Sequence, residues 1–514
     1  MKGNFDNRRI AINMVFSVIA FVLNTLVSFF ITPYITSQFG SEAYGFIKLS
    51  TDFTSYAALV TLALNSMSSR FIMLERERNN VRGANEYYSS LMLANVGLTL
   101  FMGILSLITV FNLEKIVSIP EGMTAEVKLV FAITFLSFLI SLATSIYGNC
   151  FYLSNRLDLN SIRTAESTII RVVTIIGLFL LFEPKISYVA LGSLVSTVYL
   201  CVCNFIFSRK LLPDLKVKRK YFKFERIKEL FFSGIWNSIT KLSQILSSGL
   251  DLLMTNIMIN SQMMGYLSVA KTVPTLVASF NSTIANVFSP NLMMLYAKDD
   301  IEGLKKATKT AMKFMCLFVS IPNAILITMG KEFFDLWVPG QPSKMINILS
   351  VLTIINSVIT GPTQPLYQIF TITNKIKQSS IVMIIYGAVS VLMTYVCLQV
   401  TDLGVYAVAG VSLIGSLIVA LFYHIPYAAK YIGLPKRTFF PEIGISILST
   451  AILCGVGLII NYFMELNSSW VMWFTGACLT GIIGLFINVM IILNKEERKK
   501  LWNRLFSKVG RRKG

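Results

Sequence analysis

The stretch Asn237-Ser238-Ile239-Thr240-Lys241-Leu242-Ser243-Gln244-Ile245-Leu246-Ser247-Ser248-Gly249-Leu250-Asp251-Leu252-Leu253-Met254-Thr255 lies inside an apolar run of membrane-spanning length, yet its polar residues are ordered. Asn237, Lys241, Gln244, Ser248, Asp251 and Thr255 recur at steps of four, three, four, three and four. On a helix turning about 100° per residue, these six side chains fall within a sector of roughly 80°. One face of an otherwise apolar helix is therefore polar from end to end. A lysine or aspartate near a bilayer centre costs roughly 2.5 to 3.5 kcal/mol on insertion scales, so such a face lines water or protein rather than lipid. Taken alone, the stripe suits a structural seam between helices as well as the wall of a polar pathway.

The rest of the chain decides its setting. Of 514 residues, 54% are hydrophobic and 14% charged, with a mean hydropathy of +0.66, far from any soluble domain. The expected fold is all-α and polytopic. With about 20 residues per span, fourteen apolar segments are counted, the first near 10–32 and the last near 470–493. If the N-terminus starts inside, 38 of the 46 Lys and Arg fall in inner segments, five in outer ones, and three, Lys48, Lys241 and Lys271, inside spans. That asymmetry places both termini in the cytoplasm. The net charge of +20 then reflects topology, and no nucleic-acid partner is expected. All seven cysteines fall within or at the ends of apolar segments and read as small core residues. The first apolar segment is too long for a signal region and is expected to remain as the first helix.

An internal repeat emerges at a shift of 224 residues, which lays Asn13 on Asn237, Ser17 on Lys241, Asn24 on Ser248, and Ile35-Thr36-Ser37-Gln38 on Ile259-Asn260-Ser261-Gln262. The sparser first stripe, Asn13, Ser17, Asn24, Ser28 and Thr32, thereby comes into register with the second. Repeats of this kind mark transporters. They predict an N-lobe over 1–208, a basic cytoplasmic linker over 209–228 along anionic headgroups, a C-lobe over 229–427, two further helices over 428–493, and a basic amphipathic tail over 494–514. The two stripes are expected to face a cleft between the lobes.

Other polar residues extend the pattern. Lys48 and Asp52, four apart, can meet as a pair. The eighth helix carries Lys271 beside Pro274, and the tenth ends in Gly361-Pro362-Thr363-Gln364-Pro365, which must break or bend it. Glu166 and Arg171 are placed at the cytoplasmic end of the fifth helix, within snorkelling reach of the interface. No phosphate-binding loop is present, because Gly330-Lys331 is followed by Glu332. His424 has no metal-spaced partner, and Asp300 reads as a helix cap rather than a ligand. No catalytic residue, metal site or cofactor is expected, and the chain is not expected to be an enzyme.

The run Phe29-Phe30-Ile31-Thr32-Pro33-Tyr34-Ile35, with Gly40, Tyr44-Gly45-Phe46, Leu64-Asn65-Ser66-Met67 and Ser69-Arg70-Phe71, resembles the N-terminal signature of bacterial polysaccharide transporters, the O-antigen (Wzx-type) flippases of the MOP exporter superfamily. The resemblance implies paired six-helix bundles in the bacterial inner membrane that export a polyprenyl-pyrophosphate-linked oligosaccharide by alternating access. It implies membrane lipids and other polysaccharide assembly proteins as partners. On that frame Lys48, Lys241 and Lys271 form a cationic cavity for pyrophosphate, while Asn237, Gln244, Ser248 and Asn24 offer hydrogen bonds to sugar. Asp52 and Asp251 are candidates for coupling to a proton or sodium gradient, and Pro362 and Pro365 for a gate. A multidrug exporter or a peptidoglycan-precursor exporter of the same superfamily is the rival within the class; the former favours an acid-rich cavity, against three lysines and two aspartates here. A polysaccharide polymerase or ligase needs a large outer loop, which the segment spacing does not leave.

Overall fold

Apolar runs of span length leave the backbone one way to satisfy its own N–H and C=O groups in lipid, and every regular element is accordingly a helix. The computed structural model describes residues 7–154, 156–373, 375–493, 495, 497 and 498, with side chains from residue 25 onward except at 28, 157 and 290. Asn13, Ser17, Asn24 and Ser28 of the first stripe, and nearly all of the amphipathic tail, therefore lie outside the described side chains.

The helices in order are α1 (Asn7–Asn65), α2 (Ser68–Glu77), α3 (Val81–Phe111), α4 (Leu113–Ile116), α5 (Thr124–Leu153), α6 (Leu157–Leu181), α7 (Ser187–Leu211), α8 (Phe224–Gln244), α9 (Asp251–Met258) and α10 (Ser261–Ala270). They continue as α11 (Thr272–Ala297), α12 (Ile301–Trp337), α13 (Ser343–Ile354), α14 (Ser357–Thr360), α15 (Gln364–Ile372), α16 (Ile376–Val400), α17 (Val405–Val419), α18 (Ile425–Tyr431), α19 (Phe440–Phe463) and α20 (Trp470–Ile492). Among the described residues, eleven helices are long and apolar enough to cross a membrane. The sequence count of fourteen differs for two reasons. α1 holds two passes joined at Gly40, whose φ of 82° and ψ of 167° suit only glycine. The segments α8 through α9 and α10 through α11 are each interrupted and carry polar faces, which lowers their hydropathy.

The chain divides into two compact units, one ending at Gly265 and one beginning at Tyr266. The seventh pass, α8 with α9, which the repeat groups with the second half, packs inside the first unit. Its seam against α1 is close: Ser238 Oγ donates to the Leu59 carbonyl at 3.0 Å and Asn237 Nδ2 to Ser66 Oγ at 3.1 Å. Gly234 makes this approach possible, since a methyl group there overlaps the Ala63 carbonyl.

The linker is held against α3. Leu212 and Leu215 are buried in a cluster with Tyr88, Leu91 and Leu230. Polar residues on the first turns of α3 hold its backbone: Asn85 Nδ2 donates to the Asp214 carbonyl at 3.1 Å, and Asn85 Oδ1 accepts from the Lys216 N–H at 2.6 Å. Ser89 accepts from the Lys218 N–H at 3.2 Å, and Ser90 from the Lys223 N–H at 2.8 Å. Buried Glu86 meets Lys223 at 2.8 Å and Arg226 at 3.3 Å. The Tyr87 hydroxyl donates to Glu229, which also accepts from Arg226 at 3.1 Å. The lysines Lys216, Lys218 and Lys220 stay exposed, so one side of the linker is docked and the other basic.

In the second unit α12 is the axis. Asp300 caps it by accepting from the Gly303 N–H at 2.8 Å. α19 and α20 dock on it through side-chain amides: buried Asn488 Nδ2 reaches Ser320 Oγ at 2.7 Å, and half-buried Asn461 Nδ2 the Thr328 carbonyl at 2.7 Å. Lys309 pairs with buried Glu442 at 3.1 Å. His424 is buried, its Nδ1 3.2 Å from the Tyr367 hydroxyl and its ring edge-on to Phe370.

Replacing Gly234 by Ala should cost about 1–3 kcal/mol, because the obstructing group is backbone and cannot rotate away. Thermal melting of the purified protein reads this directly. Unchanged melting of G234A would disprove the close α1–α8 seam.

Candidate functional site

The polar stripe of the seventh pass does not form one face in the structure. Between α8 and α9 the residues Ile245–Gly249 wind as a π-helix, which inserts an extra residue and rotates α9 relative to α8. Asn237 and Lys241 are half-buried, Gln244 and Ser248 exposed, while Asp251 is 9% and Thr255 0% exposed. A uniform 100° step assumes a continuous α-helix, and the bulge breaks it. The looser turn frees the Gly249 carbonyl, and the Tyr56 hydroxyl donates to it at 2.6 Å. Asp52 lies one turn before Tyr56 on α1 and Asp251 two residues after Gly249, so both acidic candidates are on the segments that this bond joins.

Lys48 sits elsewhere. It lines a cavity of about 440 Å³ within the bundle of the first unit, walled by both halves of α1 and by α5, α6 and α7. Its ammonium lies 5.3 Å from the centroid of the Tyr44 ring. Across the cavity stands Arg171, which the apolar boundary near 165 assigns to the cytoplasmic interface. α6 in fact begins at Leu157, eight residues earlier than that boundary, so Arg171 is fourteen residues into the helix. By helix rise that is roughly 21 Å along the axis, beyond snorkelling reach of the inner end. Its Nε is buried without a hydrogen-bond partner among the described residues.

The other polar lining groups are hydroxyls. Ser50 Oγ lies 3.3 Å from Thr134 Oγ1, and Thr51, Ser137, Ser193 and Thr197 donate to carbonyls one turn back. Such back-bonded hydroxyls have their own protons satisfied and can turn outward to a ligand. No Asp or Glu is among the described lining residues. The described lining thus brings two cations, Lys48 and Arg171, together with hydroxyl groups and no carboxylate.

The remaining candidates are distributed. Lys241 does not line this cavity. Lys271 falls at the junction of α10 and α11, where Pro274 cannot donate to the Ala270 carbonyl, and it belongs to the second unit. Pro362 and Pro365, also in the second unit, lie in the interrupted tenth pass formed by α13, α14 and α15, and both are buried. There the Val358 carbonyl accepts from Ser446 Oγ at 2.7 Å, so the break is satisfied by a neighbour.

Comparison with known proteins places this geometry. A family model described as "Polysaccharide biosynthesis protein" matches residues 10–296. The uncharacterized membrane protein EpsK of Bacillus subtilis (strain 168) is 28% identical over 497 residues, covering 96% of this chain and 98% of its own. Among solved structures, the lipid II flippase MurJ in an inward closed conformation superposes with a TM-score of 0.66 at 16% identity, over 93% of this chain and 98% of that one. An inward-facing multidrug resistance MATE family transporter of the MOP superfamily gives 0.64 at 14% identity, over 82% and 97%. At these identities the two structures establish the fold alone.

Because the half-buried Arg171 has an unpartnered buried Nε and no carboxylate among the cavity-lining residues, Arg171→Met should leave melting unchanged or raise it, the reverse of breaking a salt bridge. The same variant should lose the thermal stabilisation that inorganic pyrophosphate gives the native protein. A several-degree fall in melting with pyrophosphate stabilisation intact would refute the assignment.

Proposed function

The chain belongs to the polysaccharide biosynthesis protein family, and we propose that it is a flippase exporting a polyprenyl-pyrophosphate-linked oligosaccharide, an O-antigen or similar cell-surface unit, by alternating access. The observation that carries this reading is the acid-free cavity holding Lys48 and Arg171. A pyrophosphate is an anion of the size and charge that two cations can hold, and Ser and Thr hydroxyls suit both its oxygens and the first sugar. An exporter of cationic drugs would need the opposite charge here.

The membrane in question is the bacterial inner membrane, with both termini in the cytoplasm, as the Lys and Arg distribution favours. In that orientation a headgroup of about two negative charges moves outward along a potential negative inside, gaining roughly 2.3 kcal/mol per charge per 100 mV. Asp52 and Asp251, gathered near Tyr56, would take up a proton or sodium ion to reset the empty carrier. Lys241, Asn237, Gln244 and Ser248 on the seventh pass, with Lys271 in the second unit, would contact the glycan along its route.

Vesicles containing only this protein and a fluorescent lipid-linked glycan test the proposal. Lys48→Ala and Arg171→Ala should each slow glycan exposure at the opposite leaflet by about tenfold or more, equivalent to ~1.4 kcal/mol of lost anion binding. Asp251→Ala should remove any acceleration by an imposed ion gradient while sparing binding. Native rates in both cation variants would discard the proposal.

A further inference from the structure

Beside the cationic cavity, on the surface of the same unit, runs an apolar groove of about 580 Å³ between α1 and α6. Leu26, Phe30 and Tyr34 form one wall, and Ile169, Val173 and Ile176 the other. These side chains are exposed rather than packed: Phe30 by 66%, Val173 by 64% and Ile176 by 52%. Tyr34 and Phe179, ring centroids 4.8 Å apart, close the groove near the end of α6.

Groove and cavity are two sides of one seam. Ile31 lines both. On α6 the residues facing the groove, Thr168, Val172 and Ile175, flank Arg171, which faces the cavity. The α1–α6 seam between them is packed, with Val27, Thr32, Thr168 and Ile175 buried. A ligand with its anion on Arg171 and Lys48 would reach the groove by parting α1 from α6, and would meet there the apolar side chains of Phe30, Val173 and Ile176.

We infer that the α1–α6 groove holds the polyprenyl chain of the substrate while its pyrophosphate occupies the Lys48–Arg171 cavity. The inference rests on the proposed function and adds to it the place of the lipid tail. Adjacency to an acid-free cationic cavity selects an anionic lipid over a neutral one. Among anionic lipids, the proposed function makes the polyprenyl pyrophosphate the occupant, with phosphatidylglycerol as the competitor.

The test measures binding of three probes to the purified full chain in detergent: inorganic pyrophosphate, a long-chain polyprenyl pyrophosphate, and phosphatidylglycerol. The native protein should bind the polyprenyl pyrophosphate more tightly than pyrophosphate. Val173→Trp and Ile169→Trp, which fill the trough, should weaken polyprenyl pyrophosphate by about tenfold or more, equivalent to ~1.4 kcal/mol, and leave pyrophosphate as in the native protein. That retained binding also certifies the fold. A photoreactive side chain placed at Ile176, which leaves the trough open, should capture the polyprenyl chain.

Polyprenyl binding unaffected by both tryptophans, with no capture at position 176, overturns the groove while leaving the cavity intact. Phosphatidylglycerol bound as tightly as the polyprenyl lipid and equally sensitive to the tryptophans overturns the choice of occupant. Pyrophosphate binding indifferent to Arg171→Met overturns the underlying reading of the cavity instead.

Discussion

Two cations inside a helical bundle with no carboxylate beside them set the terms for the first unit. Bringing an ammonium and a guanidinium out of water costs several kcal/mol each even after relaxation. The fold absorbs part of that cost with hydroxyl dipoles from α5 and α7 and with the Tyr44 ring. It does not remove it, because neutral dipoles replace only some of a cation's hydration. The residual cost makes the site effective, since charges in a poorly polarisable surround attract an anion more strongly than the same charges at a surface. The surrounding packing has to carry the strain, and the apolar cluster beneath it, from Leu64 to Leu230, is drawn from α1, α3, α5, α8 and the docked linker.

Backbone irregularity is concentrated where polar residues cross the membrane, and each irregularity is answered locally. At the π-turn of the seventh pass the Gly249 carbonyl finds Tyr56. In the tenth pass Val358 finds Ser446. Freed carbonyls in hydrocarbon would otherwise cost several kcal/mol each, so the helices are interrupted without being weakened. Interruptions so supported allow a helix to bend at a fixed place, as a carrier that changes conformation requires.

How much the sequence reveals depends on how local each signal is. Pass number, the break at Pro362 and Pro365, and the Asp300 cap depend on composition within a turn or two, and all are present. Lys48 is identifiable for the same reason, as an isolated charge within an apolar run. Arg171 is hidden by a boundary: Leu157-Asp158-Leu159-Asn160 is too polar to join an apolar segment, yet it forms the first turn of α6, with Asp158 held by Arg156 at 3.0 Å. The π-turn leaves no signature beyond the pair Ser247-Ser248 before Gly249, so a regular helical projection puts Asp251 and Thr255 on the same face as Asn237 and Lys241. Linker docking is written in Asn85, Ser89 and Ser90, a polar cluster opening an apolar helix, but its partners are about 130 residues away.

The two cations are not equivalent, and the difference bears on release as well as capture. Arg171 is a planar fork fixed by the packing of α6, with its backbone pressed against Gly192 of α7. Such a group defines where an anion sits but cannot follow it. Lys48 is a point charge on a flexible stem, and Tyr44 one turn away gives it a second resting place. A cation over an aromatic face recovers roughly 0.5–2 kcal/mol. If the proposed anion left, an ammonium resting at the ring would be spared full desolvation, and the free-energy gap between loaded and empty site would narrow by that amount. A pocket of two arginines would bind more tightly and discharge more slowly; the pairing of one fixed and one retractable cation suits a site that must turn over.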